Sequence, residues 1–311
     1  MKFTEYLRRR EGFNSREDWL VARTQSIGGS DLHAILTGRG SYALWLLKTG
    51  REDPLSGEKE KPLWLEWGHY CELSILPFYR DHILPQSGEG LELYIEDDAL
   101  LRHPTWPLHA SVDALVITSD LDAEVVGGVD SKNVANAVYA EEWRRLKNGG
   151  LPQKAATQGN LYSHLLDVAW WDFAASIFGK SPESRRYHAT EARRNDIDRA
   201  LAWWRRHVEK GVEPEPDGDK RTTKAVRDHL GPSRNEAPML AASPGAESLA
   251  RRAAEAQQRF DAAKADLAAA KNACRLATGN APGVEGLWTF KTDARGARPF
   301  KLNQAVKEAA W

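Results

Sequence analysis

The sequence lacks the features that mark several classes of protein. It has two cysteines, Cys71 and Cys274, which lie far apart and suggest neither a disulfide framework nor a set of zinc ligands. No apolar run approaches the roughly 18 residues that a membrane span needs. The charged start of the chain contains no apolar signal-peptide core. We therefore expect a soluble cytoplasmic protein that does not contact a membrane.

The composition also lacks a dominant charge. Lys and Arg together number 43 and Asp and Glu 44, which gives a net charge of −1. Any contact with nucleic acid must therefore come from a local basic patch and not from an overall positive field. With 311 residues, of which 41% are hydrophobic, the chain can bury a sizeable core. It is long enough for one large domain or for a core domain with an appendage.

The order of patterns along the chain divides it into three regions. Residues 1–210 combine helical and strand patterns and form the predicted core. Residues 211–245 are rich in Pro, Gly, Ser and charge, which is typical of a linker or an extended arm. Residues 246–311 are predicted to form a long helix, then a β-hairpin, and then a short final helix over residues 304–310.

The long helix carries an apolar seam. Its residues repeat at alternating four- and three-residue steps, which is the heptad pattern of a coiled coil, and its alanines permit close packing. The partner of this seam is either the body of the same chain or another subunit. The seam comprises Leu249, Ala253, Ala256, Phe260, Ala263, Leu267, Ala270 and Cys274.

Two β-rich runs between residues 109 and 134 carry the most informative polar residues. Asp113 lies in the first run, and Asp130 and Lys132 lie in the second. Because side chains alternate along a strand, Asp130 and Lys132 share one face, and a hairpin would place Asp113 beside them. Two carboxylates and an ammonium suit a divalent cation and phosphodiester hydrolysis. The alternative is a surface hairpin with a single ion pair.

Glu72 is a further candidate because it lies beside an apolar stripe in a helical pattern over residues 62–82. The stripe comprises Leu63, Trp67, Tyr70 or Cys71, Ile75 and Phe78 at three- and four-residue steps. A carboxylate that points partly inward needs a partner, and a metal ion is one. A solvent-facing glutamate at the edge of the stripe is the alternative.

Residues 27–31, Ile-Gly-Gly-Ser-Asp, lead into a helix, and Arg23 lies just upstream. Glycines let the backbone approach a ligand, Ser30 can cap the helix, and a helix N-terminus attracts anions. This segment is either a phosphate-binding turn or an ordinary corner between two helices. Gln158 is the one amide on an apolar stripe of a later helix, over residues 152–166. It is either a buried, hydrogen-bonded glutamine or a site residue.

In chain order these segments resemble the PD-(D/E)xK nuclease core. More narrowly they resemble the YqaJ-type viral recombinase family, which includes the phage lambda exonuclease. The resemblance spans about residues 15 to 178 and rests on their combination, since no single motif is specific. The matching positions are Arg23 with residues 27–31, Gly68 with Glu72, Asp113, Asp130-Ser131-Lys132 and Gln158.

The resemblance implies an α/β fold with a restriction-endonuclease-like core, in which helices flank a mixed central sheet, and with a helical extension at the C-terminus. It also implies a role for each matching residue. Asp113, Asp130 and the Ser131 carbonyl would bind metal, Lys132 would position or activate water, and Glu72 would serve a second metal or the water. Gln158 would steady the lysine or the substrate, and Arg23 and Ser30 would hold a DNA phosphate.

The implied activity is digestion of double-stranded DNA from an end, 5′ to 3′, to supply single strands for phage-type recombination. The implied cofactor is two Mg²⁺ ions, with Mn²⁺ as an alternative. The implied partners are a single-strand annealing protein and further copies of the chain in a ring. Two other functions remain open: an endonuclease or nickase on the same core, and a catalytically weak DNA-binding or assembly subunit. Asp130 departs from the family, which usually has Glu there, and this leaves the metal preference in question.

Overall fold

The computed structural model describes residues 1–56, 63–96, 99–135, 137–146, 150–190, 193–232, 236, 238–292, 297–303 and 306–307. It divides into two compact units, Met1–Ser233 and Arg234–Trp311. Within the described residues, no helix combines the length and the apolar character that crossing a bilayer requires. Most of the predicted final helix, 304–310, lies outside the described residues.

The first unit alternates helices and strands, as the sequence predicts for an α/β fold. Its helices are α1 Phe3–Arg9, α2 Arg16–Thr24, α3 Gly29–Thr37, α4 Ser41–Lys48, α5 Leu63–Phe78, α6 Ala137–Arg145, α7 Gln153–Leu166, α8 Arg194–Trp204 and α9 Lys220–Leu230. Its strands are β1 Arg10–Glu11, β2 Leu91–Ile95, β3 Leu100–Arg102, β4 His109–Ala110, β5 Ala114–Thr118, β6 Val125–Val134, β7 Trp170–Ile177 and β8 Glu183–His188.

A mixed five-stranded sheet forms the centre of this unit, in the order β2-β5-β6-β7-β8. β5 and β6 pair antiparallel with Ala114 opposite Val129, so the predicted hairpin is present. β6 and β7 pair in parallel with Asp130 opposite Phe173. Parallel neighbours need a crossover connection, and α6 and α7 supply it. The mixed central sheet flanked by helices is therefore confirmed.

Separate groups of apolar residues pack against the sheet. One contains Leu161 and Leu165 of α7 with Trp171 and Phe173 of β7. The other contains Ile75 and Leu76 of α5 and Tyr79 just after it, with Val116, Val129 and Ala174. β6 is buried over most of its length because it lies in the middle of the sheet. Any polar side chain on β6 therefore lies in an apolar setting.

The apolar stripe predicted on α5 is buried only toward its C-terminal end. Ile75 is 3% exposed, whereas Leu63 is 81% and Trp67 is 67% exposed. The first half of α5 therefore presents large apolar side chains to solvent. The reason is that only the last turns of the helix reach the sheet.

The predicted linker 211–245 contains helix α9, so its first half is not an unstructured arm. The Asp217 carboxylate accepts hydrogen bonds from Gly40 N at 2.9 Å, Tyr42 N at 3.2 Å and Thr222 Oγ1 at 2.9 Å. Ala225 is buried against Trp45 and Leu46 of α4. The polar composition misled the prediction because α9 is fixed by contacts with residues far away in the sequence.

The second unit begins with α10, Pro244–Thr278, a helix of 35 residues. Three short strands, β9 Gly283–Val284, β10 Trp288–Thr289 and β11 Lys301–Leu302, form an antiparallel sheet in the order β11-β10-β9. On the predicted seam, Leu249 is 63%, Phe260 62% and Leu267 50% exposed. Pairing of this seam as a coiled coil stays a prediction.

Candidate functional site

The central strand β6 carries a buried acidic side chain beside a lysine. The Asp130 side chain is 1% exposed and the Lys132 side chain 31%, and the Lys132 Nζ lies 3.8 Å from Asp130 Oδ2. Neither carboxylate oxygen of Asp130 has a hydrogen-bond partner among the described residues. Buried carboxylates are normally paired or bound to metal. The Asp130 carboxylate is therefore a buried charge that a bound cation would compensate.

Asp113 lies immediately before β5 and bonds to the strand opposite. Its Oδ2 accepts hydrogen bonds from Ser131 N at 2.7 Å and from Ser131 Oγ at 2.8 Å. The sequence predicts Asp113 within the first β-run. In the structure Asp113 lies in a bend, one residue before the start of β5. Asp113 thus fixes Ser131, which lies between Asp130 and Lys132. The predicted cluster of Asp113, Asp130 and Lys132 is brought together.

The charges in this cluster act on one another. Burial raises the pKa of the Asp130 carboxyl, Lys132 opposes that shift, and the Asp113 charge adds to it. Burial would lower the pKa of Lys132, but the carboxylates of Asp130, Asp113 and Glu72 together raise it. Lys132 is therefore favoured as an ammonium, which donates hydrogen bonds. The end of α5 packs against the central sheet, and from this helix the Glu72 charge acts on Lys132.

Gln158 occupies the predicted face of α7 but bonds within its own helix. Its Nε2 donates to Tyr162 Oη at 3.2 Å, and Tyr162 Oη donates to Ser111 O at 2.8 Å. The Tyr162 ring packs edge-on against Trp171, with centroids 5.2 Å apart. Among the described contacts, Gln158 does not reach Lys132. It supports Tyr162 instead, which holds the segment just before Asp113.

The second predicted group of site residues lies at the corner between α2 and α3. Gly28 is the N-cap of α3 and Ser30 its second residue, so Ser30 does not cap the helix as predicted. The Arg23 guanidinium lies over the Trp19 ring, 4.2 Å from its centroid. Gly29 touches α7, since a Cβ there would lie 2.7 Å from Gln158 Cγ. The glycine therefore lets the corner approach the helix that carries Gln158.

A buried ion pair holds this corner from behind, and sequence reasoning missed it. The Lys48 side chain is 2% exposed, and its Nζ lies 2.8 Å from Asp31 Oδ2. The same Nζ donates to Arg23 O at 2.7 Å and to Ser26 O at 2.6 Å. Asp31 Oδ2 also accepts from Gly28 N at 2.9 Å. Lys48 therefore joins the end of α2 to the start of α3. A lysine that closes an apolar helix was the only sequence signal.

A second buried network lies on the other side of the corner. Ser26 Oγ is 2.9 Å from His109 Nδ1 and accepts from Arg102 Nη1 at 3.0 Å. Burial, followed by the charge of Lys48, lowers the pKa of His109 well below its usual value. His109 packs against Gly28, where a Cβ would lie 2.6 Å from its Nε2. These contacts therefore hold the backbone of the corner that carries Arg23 and Ser30.

The donor set at β6 suits a hard divalent cation. Asp130 supplies two buried oxygens without hydrogen-bond partners, and Asp113 and Glu72 supply further negative charge nearby. Across the described part of the chain, no three His, Cys, Asp or Glu side chains are gathered closely enough to form a metal-binding group. The residues present therefore fit a cation through Asp130, with Asp113 close to the same strand, whereas Glu72 contributes negative charge without completing a three-residue ligand group in the described structure.

Comparison with known proteins agrees with the resemblance read from the sequence. Residues 18–164 match the family model of the YqaJ-like viral recombinase domain, which confirms that resemblance. No curated protein matches the chain. An alkaline exonuclease (LHK-Exo) from Laribacter hongkongensis is 19% identical with a TM-score of 0.47, covering 63% of this chain and 94% of that one. LHK-Exo in complex with dAMP is 18% identical with a TM-score of 0.46, covering 63% and 100%.

Proposed function

Since residues 18–164 match the YqaJ-like viral recombinase domain, we propose that this chain is a metal-dependent DNA exonuclease that digests double-stranded DNA from an end. The observation that carries the proposal is the Asp130 carboxylate. It is fully buried in β6, has no hydrogen-bond partner among the described residues, and lies 3.8 Å from the Lys132 ammonium. A buried carboxylate is costly unless it is paired and hydrogen-bonded, and Lys132 at 3.8 Å leaves both Asp130 oxygens without a hydrogen bond among the described residues.

The metal would be Mg²⁺, with Mn²⁺ as the alternative. Asp113, Asp130, the Ser131 carbonyl and Glu72 would hold it, and the family resemblance implies two ions. When bound, such a cation lowers the pKa of a water and offsets negative charge on the phosphate. The arrangement of β5 and β6 serves as the PD-(D/E)xK core in this proposal.

The protein's own residues position the substrate and the attacking water. Lys132, kept as an ammonium by three carboxylates, donates hydrogen bonds to the water or to a phosphate oxygen. Asp113 fixes Ser131 through two hydrogen bonds, and this orients the strand between Asp130 and Lys132. Gln158 acts through Tyr162 and is a positioning residue for the segment before Asp113.

The corner at α2 and α3 would bind the terminal 5′ phosphate of the DNA. Arg23 supplies a guanidinium, and Ser30 lies in the first turn of α3, where the helix N-terminus and the Ser30 hydroxyl favour an anion. Recognition of a 5′ phosphate gives the enzyme a 5′ to 3′ direction. The product strand would serve phage-type recombination, with an annealing protein as partner and a ring of identical subunits around the duplex.

The test is incubation of the full-length protein with end-labelled linear duplex and closed circular duplex in Mg²⁺. We expect label release from the linear DNA only, with no activity in EDTA. The Lys132→Ala variant is the matched control for a contaminating nuclease. Cutting of the circle would identify an endonuclease or nickase. Binding of both DNAs without any cleavage in Mg²⁺ or Mn²⁺ would identify an assembly subunit.

A further inference from the structure

Polar side chains continue from the α3 corner along the contact between α3 and α7. Gly29 meets Gln158 at the top of this contact. His33 lies one turn further along α3 from Ser30, on the same face, and Lys154 lies one turn before Gln158 on α7. His33 and Lys154 therefore lie next to each other across the α3–α7 contact, one helical turn from Gly29 and Gln158. Lys154 is exposed and His33 is half-buried, so both are open to a ligand.

The charged groups that act on these two residues are basic. Burial lowers the pKa of His33, and Lys154, Arg221 and Arg39 lower it further. Burial lowers the pKa of Lys154, and Lys132 and Arg221 lower it further. His33 Nδ1 is buried and has no hydrogen-bond partner among the described residues. Lys154 and Arg221 thus concentrate positive charge beside a His33 ring whose lowered pKa favours its neutral form, and an anion would relieve the repulsion between these cations.

Helix α9 fixes the far end of the cluster, although it lies outside the residues 18–164 that match the family. Arg221 Nη2 donates to Arg39 O at 2.9 Å, and its Nε lies 3.3 Å from Asp219 Oδ1. Asp217 attaches the start of α9 to Gly40. Asp219 offsets part of the Arg221 charge, which leaves Lys154 as the principal cation of the cluster.

We propose that His33 and Lys154, with Arg221 at the far end, form a subsite for an internal phosphate of the DNA backbone. This inference rests on the proposed function, because it takes DNA as the substrate. The subsite differs from the terminal-phosphate site at Arg23 and Ser30, and the action of Lys132 on Lys154 connects it to the candidate active site. A contact of this kind adds affinity without sequence preference.

The test measures DNA affinity as a function of salt, using fluorescence anisotropy with full-length protein and a 5′-hydroxyl duplex in EDTA. Without metal there is no cleavage, and without a terminal phosphate the Arg23 site is not engaged. Lys154→Gln should reduce the slope of log K against log salt by about 0.9. If the affinities converge at 1 M salt, that slope corresponds to a loss of roughly eightfold at 0.1 M.

Two control variants make the result specific. Lys154→Arg keeps the charge and should keep the wild-type slope, and Lys180→Gln removes an exposed lysine after β7 and should also leave it unchanged. An unchanged slope in folded Lys154→Gln would overturn the subsite. Absence of DNA binding by the wild-type protein in this assay would overturn the subsite, and absence of binding to a 5′-phosphorylated duplex with Mg²⁺ present would overturn the proposed function as well. Salt-dependent binding in this assay, together with no cleavage by the same protein in Mg²⁺ or Mn²⁺, would overturn the nuclease alone.

Discussion

The buried Lys48–Asp31 pair allows a prediction whose size can be worked out from its contacts. In Lys48→Met, Asp31 would keep a carboxylate that is 16% exposed and has lost its counter-ion. The carbonyls of Arg23 and Ser26 would also lose their shared donor. Removing one member of a buried ion pair costs about 3–5 kcal/mol, because the other charge stays buried and uncompensated. The corner that carries Arg23 and Ser30 should therefore open far more often.

Replacing both members should cost less than replacing one. In the double variant Asp31→Leu, Lys48→Met, no buried charge is left without a partner, and such replacements are often close to neutral. Gly28 N and the two carbonyls still lose their partners, at about 1 kcal/mol each. We therefore expect a cost of about 1–3 kcal/mol for the double variant, below that of Lys48→Met alone.

Hydrogen exchange read by mass spectrometry is the suitable assay, because a chain with two compact units need not unfold in one step. Amides near residues 26–32 should exchange at least about 100-fold faster in Lys48→Met, since roughly 1.4 kcal/mol corresponds to a factor of ten. The double variant should recover part of that protection. If the double variant is less protected than Lys48→Met, the pair does not act through charge compensation and the reasoning is wrong.

Four other predictions follow from the site and the domain division. Lys132→Ala or Asp113→Ala should abolish cleavage while circular dichroism and DNA binding stay close to wild type, and retained digestion by either would contradict the assignment. DNA with 5′ phosphates should be degraded faster than DNA with 5′ hydroxyls, and Arg23→Ala should remove most of that difference; equal wild-type rates on both would exclude end recognition. Ending the chain after residue 233 should leave a folded unit with altered oligomerisation or DNA retention, measured by light scattering, and an insoluble product would show that the second unit belongs to the core. Burial opposes ionisation of Asp31, but Lys48, His109 and hydrogen bonds lower the pKa of Asp31 overall. The ionised Asp31 therefore stabilises the fold at pH values above the unfolded carboxyl pKa of about 3.9. That contribution is lost as the pH falls through the lowered folded value, so an acid titration of Asp31→Asn should show a smaller loss of stability than wild type.

The parts of the fold that could be predicted depend on local patterns. The two β-rich runs and the polar turn between them predicted the pairing of β5 with β6, which brings Asp113 toward Asp130. The α2–α3 corner was evident from its glycines and its helix start. Such features are determined by residues that are neighbours in the sequence.

The parts that could not be predicted depend on contacts between distant residues. Helix α9 has a polar sequence and is fixed by Asp217, whose partners Gly40 and Tyr42 lie more than 170 residues earlier. Lys48 looked like an ordinary residue at a helix end, and only the fold shows Asp31 at its Nζ. For Gln158, the pattern identified the face of the helix but not the partner, because Tyr162 lies on the same helix and was equally available.

The central position of β6 also limits how the site can change over evolution. Asp130 is fully buried and lies opposite Phe173, so the shape of its pocket is determined by the surrounding core as well as by its chemistry. Glutamate, which the family resemblance implies at this position, is one methylene longer. An added methylene in a close-packed core costs about 1–3 kcal/mol. An exchange between Asp and Glu here therefore requires compensating changes among its neighbours, and related proteins should vary at these positions as a group.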